Sequence, residues 1–370
     1  MFPRSGGEYT FISRIYGLRV GFAAAFVSVS VGFAAPIALV AMAIGEYLSG
    51  ALPGVPARSV SFAALIALAG VHSVAVRASG VFQVLVTGMK ITMIATFLLL
   101  GYRAGNVSGV SFMPSDADTG LVFSSSFAVA LMFVLYSYSG WNASSYILGE
   151  VRDPQRIVPR AMLAATLFVA GLYLLLNLLF LRSAPPAAFA GEIEVAEIAA
   201  RSLFGSEGGR LMAGMISLGL AASLSAMTWA GPRVAQAVGR DFPALGWLAQ
   251  TSASGVPRRA LVLQTLLALV YLSTSSYEAV LVYTQFALML CGFLTVAGLI
   301  LMRWREPGLD RPFQCTGYPV TPLVFLLVSA FALIHTAIEK PGEALAGTLT
   351  LAAGYGLYFI ARTKRAEART

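Results

Sequence analysis

Charged side chains are scarce in this sequence, and their scarcity excludes an ordinary soluble domain. Asp, Glu, Lys and Arg make up 11% of the 370 residues, whereas hydrophobic residues make up 58%. A soluble globular domain carries roughly 25% charged residues, because most of its surface faces water. The composition therefore predicts an integral membrane protein whose surroundings are the lipid bilayer.

Cysteine and histidine are also rare, with two residues of each type. Cys291 falls in an apolar run and Cys315 in a polar loop, so we expect no disulfide framework. His72 and His335 are isolated along the chain, and we predict no metal site. No paired carboxylates and no nucleophile with a nearby base stand out. We therefore expect a protein that is not an enzyme and needs no cofactor.

The charged residues divide the sequence into apolar runs that are long enough to cross a membrane. A hydrocarbon core of about 30 Å needs roughly 20 helical residues. We predict an all-α protein with ten spans, at residues 19–48, 58–76, 79–102, 122–148, 158–182, 210–232, 260–277, 279–302, 319–338 and 344–361. The predicted organisation is a cytoplasmic loop at 1–18, one transmembrane domain at 19–361 and a cytoplasmic tail at 362–370.

The basic residues orient this bundle, because Lys and Arg near helix ends are retained on the cytoplasmic side. Most of the 25 Lys and Arg residues collect on one side when the N-terminus is cytoplasmic. Four glutamates then share one external loop: Glu192, Glu194, Glu197 and Glu207. We expect a multi-pass protein of the inner or plasma membrane with both termini in the cytoplasm. The net charge of +8 is spread over separate loops, which argues against a nucleic-acid partner.

One polar segment with a glycine interrupts a long apolar run. Residues 136–145 read YSYSGWNASS, within the uncharged stretch 121–149. A bilayer supplies no water to loosened backbone groups, so such a segment is tolerated only where it lines a cavity of the protein. Gly140 would permit a helix break, Tyr136 and Trp141 would close over a bound side chain, and Asn142 would hold the loosened backbone. The alternative is that the small residues only let helices pack closely.

Lys90 is an ionisable residue in the middle of a predicted span. Lys90 is 13 positions from Arg77 on one side and 13 positions from Arg103 on the other. At 1.5 Å per residue, Lys90 lies about 20 Å from either end of its helix. A charge at this depth is costly and marks a functional pathway by default. Two interpretations remain open, a proton-coupling group and a permanently charged lysine that bonds the backbone.

Several short motifs occur along the chain in a fixed order. They are PRSGGEY at 3–9 with Tyr16 and Gly17, YSGWN at 138–142, GEVRDPQR at 149–156 with Pro159 and Arg160, AGPR at 230–233 with GRD at 239–241, and PF at 312–313 with GYPVTP at 317–322. On these motifs the chain resembles the amino acid permeases of the amino acid-polyamine-organocation (APC) superfamily, especially the L-type amino acid transporter branch. The resemblance implies a broken-helix, inverted-repeat (LeuT-like) fold that moves amino acids by alternating access.

The resemblance also implies roles for individual residues. The expected contacts of the amino acid substrate are Tyr136, Tyr138, Ser139, Gly140, Trp141, Asn142 and Phe286. Lys90 would take the place that a sodium ion has in related folds, with Ser223 or Ser225 as its partner, and a proton is the candidate coupling ion. The expected inner gate comprises Glu150, Arg152, Asp153 and Arg156, with an ordinary solvated loop as the alternative. Ser139 and the lack of acidic residues in the binding segment favour neutral amino acids. No partner subunit can be predicted.

The sequence departs from the family at its beginning. In the family, the PRSGGEY loop follows the second of twelve helices, so the ten spans would be family helices three to twelve. We expect the first two helices to be missing, through a misassigned start, a truncated gene or a deliberately shortened product. The main hypothesis is an amino acid permease. The alternative is a truncated, transport-inactive homologue that acts as a sensor or interaction protein.

Overall fold

The computed structural model describes residues 7–52, 54–74, 80–104, 120–140, 151, 153–252, 255–311 and 313–367. These residues are mostly α-helical and contain no strand, so the prediction of an all-α protein is confirmed. The α-helices in chain order are α1 (Gly7–Tyr16), α2 (Leu18–Val27), α3 (Ala34–Ala51), α4 (Ala57–Val74), α5 (Gly80–Ala104), α6 (Ser125–Ser137), α7 (Pro154–Ser183), α8 (Val195–Asp241), α9 (Gly246–Ala249), α10 (Arg258–Thr274), α11 (Tyr277–Arg305), α12 (Val320–Glu339) and α13 (Pro341–Glu367).

Among the described residues, seven helical stretches are long and apolar enough to cross a membrane. They are Leu18–Ala51, Val84–Ala104, Pro154–Ser183, Val195–Asp241, Tyr277–Arg305, Val320–Glu339 and Pro341–Ala361. The other three predicted spans, at 58–76, 122–148 and 260–277, coincide with the shorter helices α4, α6 and α10. For these three helices a membrane crossing stays a prediction.

The stretch formed by α2 and α3 is the central element of the bundle. In its most apolar window 67% of the residues are buried, compared with 6% for α7. Small residues make this possible, because alanines such as Ala34, Ala38 and Ala41 let neighbouring helices approach closely. The largely exposed, apolar surface of α7 is suited to contact with lipid.

A π-helical turn, Ser28–Gly32, joins α2 to α3. Within it, the Ser28 hydroxyl donates to the carbonyl of Ala24 at 3.0 Å. The carbonyl of Ser30 accepts a hydrogen bond from the Tyr271 hydroxyl of α10, at 3.1 Å. Such turns disturb the regular backbone pairing of a helix and occur frequently at functional sites. This turn brings a main-chain acceptor of the central helix into contact with a side chain from another helix.

The segment that carries Glu197 and Glu207 is helical, because helix α8 begins at Val195 and not near residue 210. Its position outside the membrane stays a prediction. Gly205 has a φ of 77° and divides α8 into a short first segment and a long second segment. Only glycine adopts this conformation without strain, so the chain changes direction there and helix continues on both sides. Glu197 of the first segment is 1% exposed and pairs with Arg201, one turn further along.

Candidate functional site

Helix α6 ends inside the polar segment that the sequence singles out. Its last residue is Ser137, and residues 138–140 form a turn in which the Ser139 N–H donates to the Tyr136 carbonyl at 2.9 Å. Gly140 has a φ of 92°, in the left-handed region that favours glycine. The helix therefore comes apart where the sequence indicates. Trp141 and Asn142 lie outside the described residues.

Two tyrosines anchor the end of α6 to helix α7. The Tyr173 hydroxyl donates to the carbonyl of Ser137 at 3.0 Å. The rings of Tyr138 and Tyr173 meet edge to face, with their centroids 5.2 Å apart and their planes at 70°. Tyr173 was not predicted as a site residue, because a tyrosine within an apolar helix carries no local signal of its partner. The contact fixes the position of the last α6 carbonyls.

A second group of tyrosines includes Tyr136 of α6. Tyr136, Tyr271, Tyr277 and Tyr283 all pack against one buried cluster that includes Val31 of the π-helical turn and Leu281 of α11. Hydrogen bonds continue from the carbonyl of Ser30 through the hydroxyls of Tyr271 and Tyr283 to Thr350 Oγ1 of α13, at 3.1, 3.5 and 2.9 Å. The last turn of α6 and the π-helical turn thus contact the same group of side chains. We call the four tyrosines and the buried residues they pack against the aromatic cluster. We call the region around this cluster and residues 136–140 the candidate site.

Phe286 lies in a different cluster from these tyrosines. It is 5% exposed and packs with Met132 of α6, Met289 of α11, Ala332 of α12 and Ala344 of α13. The structure therefore places Phe286 of α11 against α6, α12 and α13. Its predicted role in substrate binding stays a prediction.

Lys90 reaches from α5 to α8, as the sequence led us to expect. Its ammonium donates to Ser223 Oγ at 2.7 Å. Its aliphatic part runs past Gly219, where an added Cβ would lie 3.6 Å from the Lys90 Cε. Gly219 thus leaves room for the lysine side chain, and Ser223 supplies an oxygen for its charge.

Ser225 has a different partner from Ser223. Its hydroxyl lies 2.8 Å from Nε2 of His72 on α4. Residues two positions apart on a helix point in nearly opposite directions, because each residue turns the helix by about 100°. Of the two serines proposed as partners of Lys90, Ser223 therefore bonds Lys90 and Ser225 bonds His72.

The predicted inner gate is only partly within the described residues. Glu150 and Arg152 lie outside them. Asp153 is the N-terminal cap of α7 and adopts a left-handed φ of 46°, and its carbonyl accepts from the N–H groups of Arg156 and Ile157 at 3.2 and 3.1 Å. Both Asp153 and Arg156 are exposed, and no ion pair joins them to another residue in the described part of the chain. Their gating role stays a prediction.

With this geometry established, comparison with known proteins gives the family. A family model described as amino acid permease matches residues 1–360. The chain belongs to the amino acid permease family. This confirms the resemblance that the sequence motifs indicated, and it makes the chain a multi-pass membrane protein.

Several named transporters are similar to this permease over nearly its whole length. The Asc-type amino acid transporter 1 of Mus musculus is 25% identical, with 97% of this chain and 69% of the relative aligned. The serine/threonine exchanger SteT of Bacillus subtilis (strain 168) is 25% identical, over 99% of this chain and 84% of its own length. The large neutral amino acids transporter small subunit 2 of Mus musculus is 26% identical, with 97% of this chain and 69% of the relative aligned.

Proposed function

We propose that this permease carries neutral L-amino acids across the cell's inner or plasma membrane by alternating access. The observation that carries the proposal is the end of α6 at Ser137, followed by the left-handed Gly140, within a chain of apolar helices. A helix that ends at membrane depth needs a lined cavity for its last carbonyl groups. The names of the similar transporters, which refer to neutral amino acids and to serine and threonine, support the same substrate class.

The substrate's ammonium group would bind near the end of α6. The C-terminal carbonyls of a helix carry a partial negative charge, equivalent to about half an elementary charge, which favours a cation. Tyr173 holds the Ser137 carbonyl, and the turn at Tyr136 directs the neighbouring carbonyls. Tyr138, Ser139 and Gly140 would then contribute main-chain contacts to the substrate.

The surroundings of Tyr136 support a neutral side chain on the substrate. Tyr136 packs against a cluster of tyrosines and apolar residues. A cationic side chain placed against such a surface would lose its hydration without gaining an opposite charge. Trp141 and Asn142 are proposed to complete the site on the far side of the break.

Lys90 is proposed to hold α5 against α8 through Ser223, and proton exchange at Lys90 is a second candidate role. The 2.7 Å hydrogen bond to Ser223 supports the first role. The position of Lys90 in the middle of α5 supports the second, because ionisable groups at this depth mark ion pathways. We further propose that Glu150, Arg152, Asp153 and Arg156 form the inner gate, on the cytoplasmic side with both termini.

Uptake into liposomes tests this function directly. Purified protein is reconstituted, and uptake of radiolabelled serine and leucine is measured with and without excess unlabelled threonine, arginine or glutamate. We expect saturable uptake that neutral amino acids inhibit and that arginine and glutamate leave unchanged. Uptake inhibited by arginine would contradict the assignment of neutral substrates.

A binding measurement separates transport from the alternative of a transport-inactive homologue. Folded protein that binds serine or leucine in a detergent-based assay, but shows no saturable uptake, would support a sensor or interaction protein. Protein that neither binds nor transports these amino acids would contradict the site proposed at the end of α6.

A further inference from the structure

A cleft separate from the candidate site opens between α4, α8 and α10. It contains about 260 Å³ of empty space, part of it open to solvent. Its walls include His72 near the end of α4, Trp229 and Arg233 of α8, and Pro257 with Leu261 at the beginning of α10. The positive-inside distribution of the sequence places these helix ends at the cytoplasmic face of the bilayer. We call this space the basic cleft.

Positive charge at the cleft is fixed in place by packing. The Arg233 guanidinium lies 3.5 Å from the centroid of the Trp229 ring, and its Nη1 donates to the Trp229 carbonyl. Arg258, which follows the lining residue Pro257 in the chain, donates from Nε to the carbonyl of Ser73, which is next to His72, at 3.1 Å. No carboxylate is among the described residues that line the cleft. An anion bound there would therefore meet the Arg233 guanidinium, and none of the described lining residues would oppose it with a negative charge.

His72 supplies a second feature that an anion would satisfy. The side chain is 8% exposed, its Nε2 pairs with Ser225, and its Nδ1 is buried without a hydrogen-bond partner in the described part of the chain. When Nε2 accepts the Ser225 hydroxyl proton, Nδ1 carries the ring's own proton and becomes a donor. A buried donor without an acceptor is costly, and nearly all such groups in proteins have a partner. An oxyanion in the cleft would provide the acceptor.

The surface beside the cleft indicates that this anion carries acyl chains. Starting next to Leu261, the residues Val262, Leu266 and Val270 form a stripe on one face of α10, and they are 56%, 55% and 55% exposed. Their spacing of four residues keeps them on one side of the helix. The stripe leads from the cleft towards the apolar middle of α10. A phospholipid could place its headgroup in the cleft and its chains along the stripe.

We propose that the basic cleft binds the headgroup phosphate of an anionic phospholipid of the cytoplasmic leaflet. Arg233 pairs with the phosphate oxygens, because a guanidinium matches an oxyanion with two parallel hydrogen bonds. His72 donates from Nδ1, and the acyl chains cover Val262, Leu266 and Val270. A zwitterionic choline headgroup is disfavoured, because its ammonium group would meet the cleft's own positive charge.

Native mass spectrometry of the purified full chain tests the proposal. Protein in detergent is titrated with phosphatidylglycerol or with phosphatidylcholine, and the fraction carrying one lipid is measured. We expect preferential retention of phosphatidylglycerol by the unmodified protein. Arg233→Gln should weaken this retention about tenfold, as expected for the loss of one hydrogen bond to a charged group. His72→Phe, which keeps a ring and removes both nitrogens, should weaken it as well.

Arg240→Gln is the matched control, because Arg240 lies on the same helix, is exposed and does not line the cleft. Its lipid retention should equal that of the unmodified protein. Helical content and size-exclusion profile establish whether each variant is folded. If Arg233→Gln does not fold, His72→Phe is the variant that tests the proposal. Unchanged retention in the folded cleft variants, or an equal loss in Arg240→Gln, overturns the proposal. Full displacement of the lipid by inorganic phosphate would overturn the lipid assignment and point to a free anion.

Discussion

Replacing Gly140 by alanine tests the broken end of α6 with a very small change. An added Cβ at Gly140 would meet no atom of the described residues within 4 Å, so the substitution introduces no steric clash with them. The obstacle is the backbone φ of 92°, because L-residues with a Cβ rarely adopt this conformation. The variant therefore measures how much the function depends on the conformation of this one residue.

The expected size of the effect follows from the cost of a left-handed conformation. This cost is about 1–2 kcal/mol for a residue with a Cβ. Such an energy corresponds to a factor of about 5–30 in an equilibrium. If the substrate binds only the conformation with Gly140 in this region, the apparent affinity for a neutral amino acid should fall by the same factor. The KM for serine uptake should rise accordingly, with little change in the amount of folded protein.

Gly171→Ala is the control for this experiment. Gly171 lies in the middle of α7, and an added Cβ there also meets no atom within 4 Å. Because its backbone is helical, alanine should be tolerated or should stabilise the helix slightly. Wild-type affinity in a folded Gly140→Ala protein would refute the reasoning, since the left-handed turn would then have no part in substrate binding.

Three further predictions concern other parts of the bundle. If Lys90 exchanges protons, Lys90→Ala should abolish the pH dependence of uptake in liposomes with an imposed pH gradient, and an unchanged dependence would leave Lys90 a structural role only. At the crossing of α3 and α4, Gly45→Ala would bring a Cβ into the carbonyl of Ala57. Thermal unfolding should show that the free energy of unfolding falls by about 1–3 kcal/mol, as is typical of overpacking. Gly70→Ala on α4, where an added Cβ meets open space, should leave the free energy of unfolding unchanged. The hydrogen bond and charge of Glu278, 2.8 Å from Lys340, raise the pKa of that lysine above its ordinary value of 10.5. Glu278→Gln should therefore lower the free energy of unfolding near neutral pH by at most about 1 kcal/mol, as expected for an exposed pair. Thermal unfolding should show this difference vanish once the pH rises through the lysine pKa.

The candidate site shows which features can be predicted from local sequence. The break at the end of α6 was predictable, because serines, tyrosines and Gly140 stand together in an uncharged apolar run. The depth of Lys90 was also predictable, because it follows from counting residues along one helix. Both predictions depend only on neighbours in the sequence.

Other parts of the site required the packed structure. Ser223 and Ser225 are equivalent in sequence, and the rotation of α8 decides that Ser223 meets Lys90 and Ser225 meets His72. Tyr173 lies 36 positions from Ser137, and only the crossing of α6 and α7 brings the two together. The first segment of α8, before Gly205, was placed in an external loop because the predicted span began at residue 210 and the basic residues set the orientation. In the structure Glu197 is buried against Gly50 of α3.

The sequence by itself determined the membrane environment, the positions of most helices and the family, because helix formation and membrane insertion depend on the composition of short stretches. The tertiary structure alone decided which side chains share a partner, how the tyrosines meet around the end of α6, and where the basic cleft opens. Those features depend on the rotation and crossing of helices that are far apart in the chain. No short stretch of sequence encodes such relations, because they are set by the packing of the whole bundle.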